Sequence, residues 1–252
     1  MKILFSPSES KQKGGSNSPF DEQSFLFPEC FKYRKEMIDL YQDIINKADD
    51  TTLMKLFGIK DKKIIAYYRA DLYKQNTLKA IDRYNGVAFQ YLNYSSLNEN
   101  SKDYLDHNTI IFSNLFGPIL AGDCHLPDYK FKQGEKLEGL SVAPFYKKYF
   151  TSALDDFLKN EEILDLRAGF YEKFYKIKQP FFSLRFIKNG KIVSHWVKAY
   201  RGIVLRTIAL ENIDNLKALM QCNIEGLRIH EIKEQGLRTE ICYEIAEDSP
   251  LS

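Results

Sequence analysis

The stretch that most narrows the fold is "FFSLRFIKNGKIVSHW", residues 181–196, in which Asn189 and Gly190 separate two runs with strand-like apolar alternation. A two-residue hairpin turn needs positive φ at both central positions, and Asn and Gly tolerate it. The chain is therefore expected to contain an antiparallel hairpin here, and with it a β-sheet. A second hairpin is expected in "GLRIHEIKEQGLRTEICYEI", residues 226–245, where another glycine divides two strand-like runs.

Helices are signalled by a different period. From Pro28 onward, Phe31, Met37, Ile38, Tyr41, Ile44, Ile45 and Ala48 recur at three- and four-residue spacing, with Pro28 suited to a first helical turn. "APFYKKYFTSALDDFLKN" and "VKAYRGIVLRTIAL" are helical by the same test. "KILFS", "TIIFSNLFGP" and "EILDLR" read as short buried strands, the second ended by Gly117 and Pro118. "NTLKAIDRYNG" reads as a helix capped by Asn76 or Thr77 and stopped by Gly86. "PSESKQKGGSNSP" has loop composition, and "AEDSPLS", residues 246–252, reads as a loose polar tail. Strands and helices alternate without a clean βαβ rhythm. The expected architecture is mixed α/β (α+β), a mixed sheet packed with helices, in one domain over residues 1–252. Most of the abundant Tyr and Phe are expected in its core.

Composition excludes some functions. Lys and Arg number 36 against 34 Asp and Glu, so the net charge of +2 does not by itself indicate a nucleic-acid binder. Any such activity must come from where the charge sits. Cys30, Cys124, Cys222 and Cys242 lie far apart with no CxxC pair, and "MKILFSPSES" lacks the apolar run of a signal peptide. No apolar segment approaches membrane-spanning length. A cytoplasmic protein with reduced thiols and no membrane role is expected. "LAGDCHLPDYKF" gathers Asp123, Cys124, His125 and Asp128, but adjacent Cys and His seldom aim at one ion, so neither metal nor cofactor is expected.

Two stretches carry candidate chemistry. "LMKLFGIKDKKIIAYYRA" reads as two short helices hinged at Gly58, a helix-hairpin-helix element over about residues 51–70. In such a unit the second helix directs free amides at a phosphate, with Lys60, Lys62 and Lys63 adding attraction. The alternative is that Gly58 ends a helix as a left-handed cap and the lysines are a solvated face. In "HWVKAYRGIVLR", Lys198 and Arg201 lie about 60° apart on the helix surface, with Arg206 about 80° to the other side of Lys198. They form an anion clamp, or an exposed basic face. Gly202 would allow close approach by a ligand or another backbone.

Together these segments resemble the YaaA family of bacterial peroxide-stress proteins. "ILFSPSES", "AIDRYNGVAFQYL", "IIFSNLFGPILAGDCHLPDYKF", "EILDLRAGFYEKF" and "IVSHWVKAYRGIVLRTIALENI" resemble its blocks in order over about residues 1–235. Lys198, Arg201, Gly202 and Arg206 stand at family positions, and an apolar-Gly-apolar hairpin occurs at "LFGIK". The resemblance implies a YaaA-like fold and largely sequence-independent binding of duplex DNA through Gly58, Lys60, Lys62 and Lys63 beside a basic cleft of Lys198, Arg201 and Arg206. It also implies a peroxide-response role in which free intracellular iron is limited. Glu9, Val87, Leu120, Ala121, Ala168 and Phe170 depart from charged or polar family positions, with Arg167 a substitute cation. The competing reading is an enzyme acting on a small anionic or nucleotide-like substrate held by Lys198 and Arg201, with Asp123 as base and Ser6 or Ser113 positioning the substrate.

Overall fold

The computed structural model describes residues 1–193 and 196–247. Ser194, His195 and most of the expected polar tail, residues 248–252, lie outside the described residues. The chain opens with strand β1 (Lys2–Phe5), a loop, and helix α1 (Phe31–Lys47). Helices α2 (Asp50–Phe57), α3 (Lys62–Tyr68), α4 (Ala80–Arg83), α5 (Val87–Leu92) and α6 (Glu99–Asn108) follow. Next come β2 (Thr109–Ser113), β3 (Gly117–Leu120), the small hairpin β4 (Lys136–Leu137) and β5 (Leu140–Ser141), then α7 (Val142–Leu158). The remainder is β6 (Ile163–Asp165), β7 (Phe181–Lys188), β8 (Lys191–Ile192), α8 (Val197–Leu210), α9 (Leu216–Gln221), β9 (Leu227–Gln235) and β10 (Arg238–Ile245).

The main sheet has the order β3-β2-β1-β6-β7-β10-β9, with β8 also paired to β7. Its centre, β2, β1, β6, β7 and β10, is parallel, while β3, β8 and β9 pair antiparallel. The mixed sheet packed with helices is therefore the observed architecture. Both hairpins form as their turns require: Asn189 and Gly190 take φ of 50° and 70°, and Gly236 takes 62° between β9 and β10. Strands β1, β2 and β6 are buried on both faces, as continuous apolar runs such as "TIIFS" demand. The buried aromatics and aliphatics form one connected core.

Two local expectations are corrected. Gly117 and Pro118 do not end the β2 strand run but begin β3 after a tight turn, and proline is tolerated there because β3 is an edge strand. Asn76 and Thr77 do not cap a helix. Thr77 and Leu78 instead form isolated bridges to Asn17 and Leu126, and the helix shrinks to the four residues of α4. Gly86 precedes α5 as its N-cap instead of stopping a helix, and a side chain there would collide with Ser8 Cβ at 2.5 Å. The loop after β1 is held to the body through Lys11↔Tyr84 and Asn17↔Thr77.

Candidate functional site

The topology itself marks a site. From β1 the chain builds β2 on one side and returns much later to place β6 on the other, so the carboxyl ends of β1 and β6 diverge at a switch point, where open α/β sheets leave a crevice. A cavity of about 290 Å³ lies there. The loop after β1 supplies Ser6 through Ser10, the turn after β6 supplies Leu166 and Ala168, and α8 supplies Lys198 and Arg201. The two turns are stitched together by Leu166 N–H to Leu4 O at 2.8 Å and Ala168 N–H to Ser6 Oγ at 2.7 Å. Ser6 accepts that bond and keeps its own O–H for another partner.

α8 reaches this crevice because it packs directly on α5. A Cβ at Gly202 would stand 2.1 Å from the Ala88 carbonyl oxygen, so the glycine serves helix–helix contact and not ligand approach. Lys198 is exposed and Arg201 half-buried, and neither makes a hydrogen bond or ion pair among the described residues. Burial pulls the Arg201 guanidinium down and Asp165 and Glu172 hold it up, and a guanidinium remains charged through any such balance. A half-buried guanidinium with no acceptor among the described residues, beside a lysine, has the chemistry to meet an anion. Tyr171 also lines the cavity, and Glu9 places one carboxylate at its rim, where Oε1 accepts from Gln133 N–H at 3.1 Å.

The other expected site residues are elsewhere. Arg206 is committed to structure: Nη1 donates to the Leu92 and Asn93 carbonyls at 2.9 and 3.1 Å and to Ser96 Oγ at 2.9 Å, capping the end of α5. Arg167 is not a substitute cation in the cleft. It grips Asp165 through two 2.8 Å bonds, both side chains buried, and donates to the Tyr171 and Tyr175 carbonyls. Ser113 is fully buried, bonded to Tyr129 Oη at 2.7 Å and accepting from Phe116 N–H.

Asp123 follows β3, which runs antiparallel to β2, and so sits at the amino edge of the sheet, about 13 Å of strand away from the crevice at the carboxyl edge. Its Oδ2 accepts from Leu26 N–H at 3.0 Å and Leu120 N–H at 2.9 Å. Burial raises its pKa to about 6 against those two amides and Arg34. It fastens a loop and does not join Lys198 and Arg201, so the pocket of Lys198, Arg201 and Asp123 does not form.

At the hairpin, α2 ends at Gly58 with φ 66° and ψ 33°, Gly58 N–H bonds Lys55 O, and Ile59 N–H bonds Met54 O. This is a Schellman stop. The start of α3 is capped by its own Asp61, whose carboxylate accepts from Lys63 N–H at 2.8 Å. The amides of Gly58, Ile59 and Lys63 are thus engaged within the chain, and the Lys132 side chain lies against Gly58. Lys60, Lys62 and Lys63 are exposed, with no ion pair among the described residues. Lys132 connects this hairpin to the crevice, since its N–H bonds Leu56 O and the next residue, Gln133, lines the cavity.

Sequence reasoning missed Ser8, Gly86 and Tyr171 at the crevice. The available signals were the glycine of "RYNG", which has the same appearance as a helix stop, and the blocks "ILFSPSES" and "EILDLRAGFYEKF", which hold Ser8 and Tyr171. Among the described residues no helix is long and apolar enough to cross a membrane.

Comparison with known proteins gives the family. The profile of a family described as "Peroxide stress protein YaaA" matches residues 1–233. An uncharacterized protein of Campylobacter jejuni is 48% identical over 245 residues, covering 97% of this chain and 99% of that one. A UPF0246 protein of Corynebacterium efficiens is 33% identical over 217 residues, covering 83% and 85%, and one of Fusobacterium nucleatum is 26% identical over 239 residues, covering 91% and 94%.

Proposed function

The chain belongs to the YaaA family of peroxide-stress proteins, and from that premise we propose that its part in the peroxide response runs through binding of a small phosphate-bearing anion in the crevice between β1 and β6. The observation that carries this reading is Arg201, a half-buried guanidinium with no acceptor among the described residues, beside Lys198 in a cavity at the sheet's switch point. The volume suits one phosphate and a group of modest size. Ser6 Oγ–H and Tyr171 are placed to add neutral hydrogen bonds. Limiting free intracellular iron is the cellular outcome we attach to this binding, and no iron-ligand set is part of the proposal.

Calorimetric titration with inorganic pyrophosphate tests it. Wild type is expected to bind one equivalent, and Arg201→Ala to weaken binding about ten- to a hundredfold, the worth of one or two charge-assisted hydrogen bonds. Equal affinity of the two proteins would remove the proposal.

A second reading is favoured by one observation: the exposed lysines Lys60, Lys62 and Lys63 adjoin the crevice through Lys132 and Gln133. A duplex DNA backbone running along that face would meet charge at both ends. Here the lysines act as charges on a solvated turn, and the amides of Gly58, Ile59 and Lys63, engaged within the chain, do not take part. Engaging three to five phosphates would make log affinity fall against log salt with a slope of about −3 to −5. Lys60→Glu/Lys62→Glu/Lys63→Glu should flatten that slope, and a salt-independent wild-type signal would rule the duplex out.

A further inference from the structure

The crevice holds both signs of charge, and they do not meet. Lys198 and Arg201 come from α8 and Glu9 from the loop after β1, all three on one cavity of about 290 Å³. None of the three makes an ion pair among the described residues. Glu9 Oε1 accepts from Gln133 N–H at 3.1 Å, and Oε2 has no donor among the described residues. The Gln133 side-chain amide, on the same cavity, is likewise unpartnered among them. Tyr171 is only 4% exposed, and its hydroxyl has no partner there either, yet it is not sealed from the cavity that the residue lines. A polar group in such a setting is costly to leave unmet, so a cavity that keeps one open suits a ligand that supplies the partner.

We infer, on the premise of that anion site, that its ligand is a guanine nucleotide. Arg201 and Lys198 take the phosphate, Glu9 accepts from the neighbouring N1–H and N2–H groups of the base, and the Gln133 amide donates to O6. The hydroxyls of Ser6 and Tyr171 serve the sugar and phosphate oxygens. The event is binding alone, with no bond made or broken.

The choice of base follows from the donors and acceptors. A carboxylate offers two acceptor oxygens side by side and no donor, so it matches a group with two parallel N–H donors. On its pairing edge guanine presents that pair. Adenine and cytosine set an acceptor beside their amino group, and uracil flanks one N–H with two carbonyls. An ammonium would also satisfy Glu9, but a small amino acid or amino phosphate would leave much of the cavity empty. The walls favour a flat ring instead, since Pro7, Val87 and Phe89 give the cavity apolar sides and Val87 is 42% exposed. Burial, with Tyr129 and Glu9, pushes the Tyr171 pKa up, so its hydroxyl remains a donor at neutral pH.

Calorimetric titration of the full chain with guanosine, inosine and adenosine monophosphates and with inorganic pyrophosphate tests the inference. The guanine nucleotide is expected to bind about tenfold tighter than the inosine one, which lacks only the 2-amino group. The adenine nucleotide should bind more weakly still, because its N1 lone pair faces the carboxylate. Glu9 is exposed, so Glu9→Gln should fold as wild type does. Its amide pairs one acceptor with one donor and so matches adenine. The guanine nucleotide should then weaken about ten- to hundredfold while the adenine nucleotide gains on it. Pyrophosphate should bind this variant no weaker, since a negative charge has left the cavity. A merely structural effect would weaken all the ligands together. Equal affinity for the three nucleotides, or guanine-nucleotide binding unmoved by Glu9→Gln, overturns the inference, and Arg201-dependent pyrophosphate binding would then leave the anion site standing. Wild type that binds neither pyrophosphate nor the guanine nucleotide removes both.

Discussion

Arg201 and Arg206 stand five residues apart on α8 and do opposite things, because only one of them meets carbonyl oxygens. Arg206→Ala strips the cap from α5 and should cost about 1–2 kcal/mol in urea unfolding without abolishing pyrophosphate binding. Arg201→Ala removes a half-buried charge that has no partner among the described residues. It should leave stability unchanged or raised while binding is lost. Asp123 offers a titration test. Its folded pKa, near 6, lies above the ordinary value of 3.8, so the folded state holds the proton more tightly and stability falls as pH rises from about 4 to 6, then levels. Asp123→Asn should flatten that window, and the difference between the two proteins should approach about 2–3 kcal/mol above pH 6. A difference that grew toward low pH would have the wrong sign.

At the scale of elements, the contact of α5 with α8 sets the crevice. Gly202→Ala drives a methyl into the Ala88 carbonyl and should destabilise by about 3 kcal/mol while weakening pyrophosphate binding, because Lys198 and Arg201 move with the helix. Thermal melts with binding measured below the transition would show both effects. The long elements were legible in the sequence: α8 spans Val197–Leu210 as its period states, and the hairpin at Asn189–Gly190 follows from turn chemistry. Short elements were not. "NTLKAIDRYNG" has a helical cap and stop, yet the bridges of Thr77 to Asn17 and Leu78 to Leu126 take its first turn, and no local signal reports such long-range pairing. The candidate site was half legible for the same reason. Lys198, Arg201 and Ser6 share the crevice, but Asp123 and Ser113 are drawn off by contacts that only the sheet topology reveals.

For the whole molecule, the sheet places two kinds of positive charge on neighbouring ground. Exposed lysines follow the α2–α3 turn, and a desolvated Arg201 lies at the switch point. The amides of Gly58, Ile59 and Lys63 are engaged within the chain, and the lysine charges of the turn are exposed, where water and salt screen them. The crevice retains unused donors in a drier setting, where each is worth more. Our central claim is that the peroxide response depends on the crevice. The most direct test is rescue of a peroxide-sensitive deletion strain by wild type, Arg201→Ala, or Lys60→Glu/Lys62→Glu/Lys63→Glu, at matched protein levels. Arg201→Ala is expected to fail to rescue and the lysine variant to succeed. Rescue by Arg201→Ala together with failure of the lysine variant would contradict it and move the function to the duplex-facing surface.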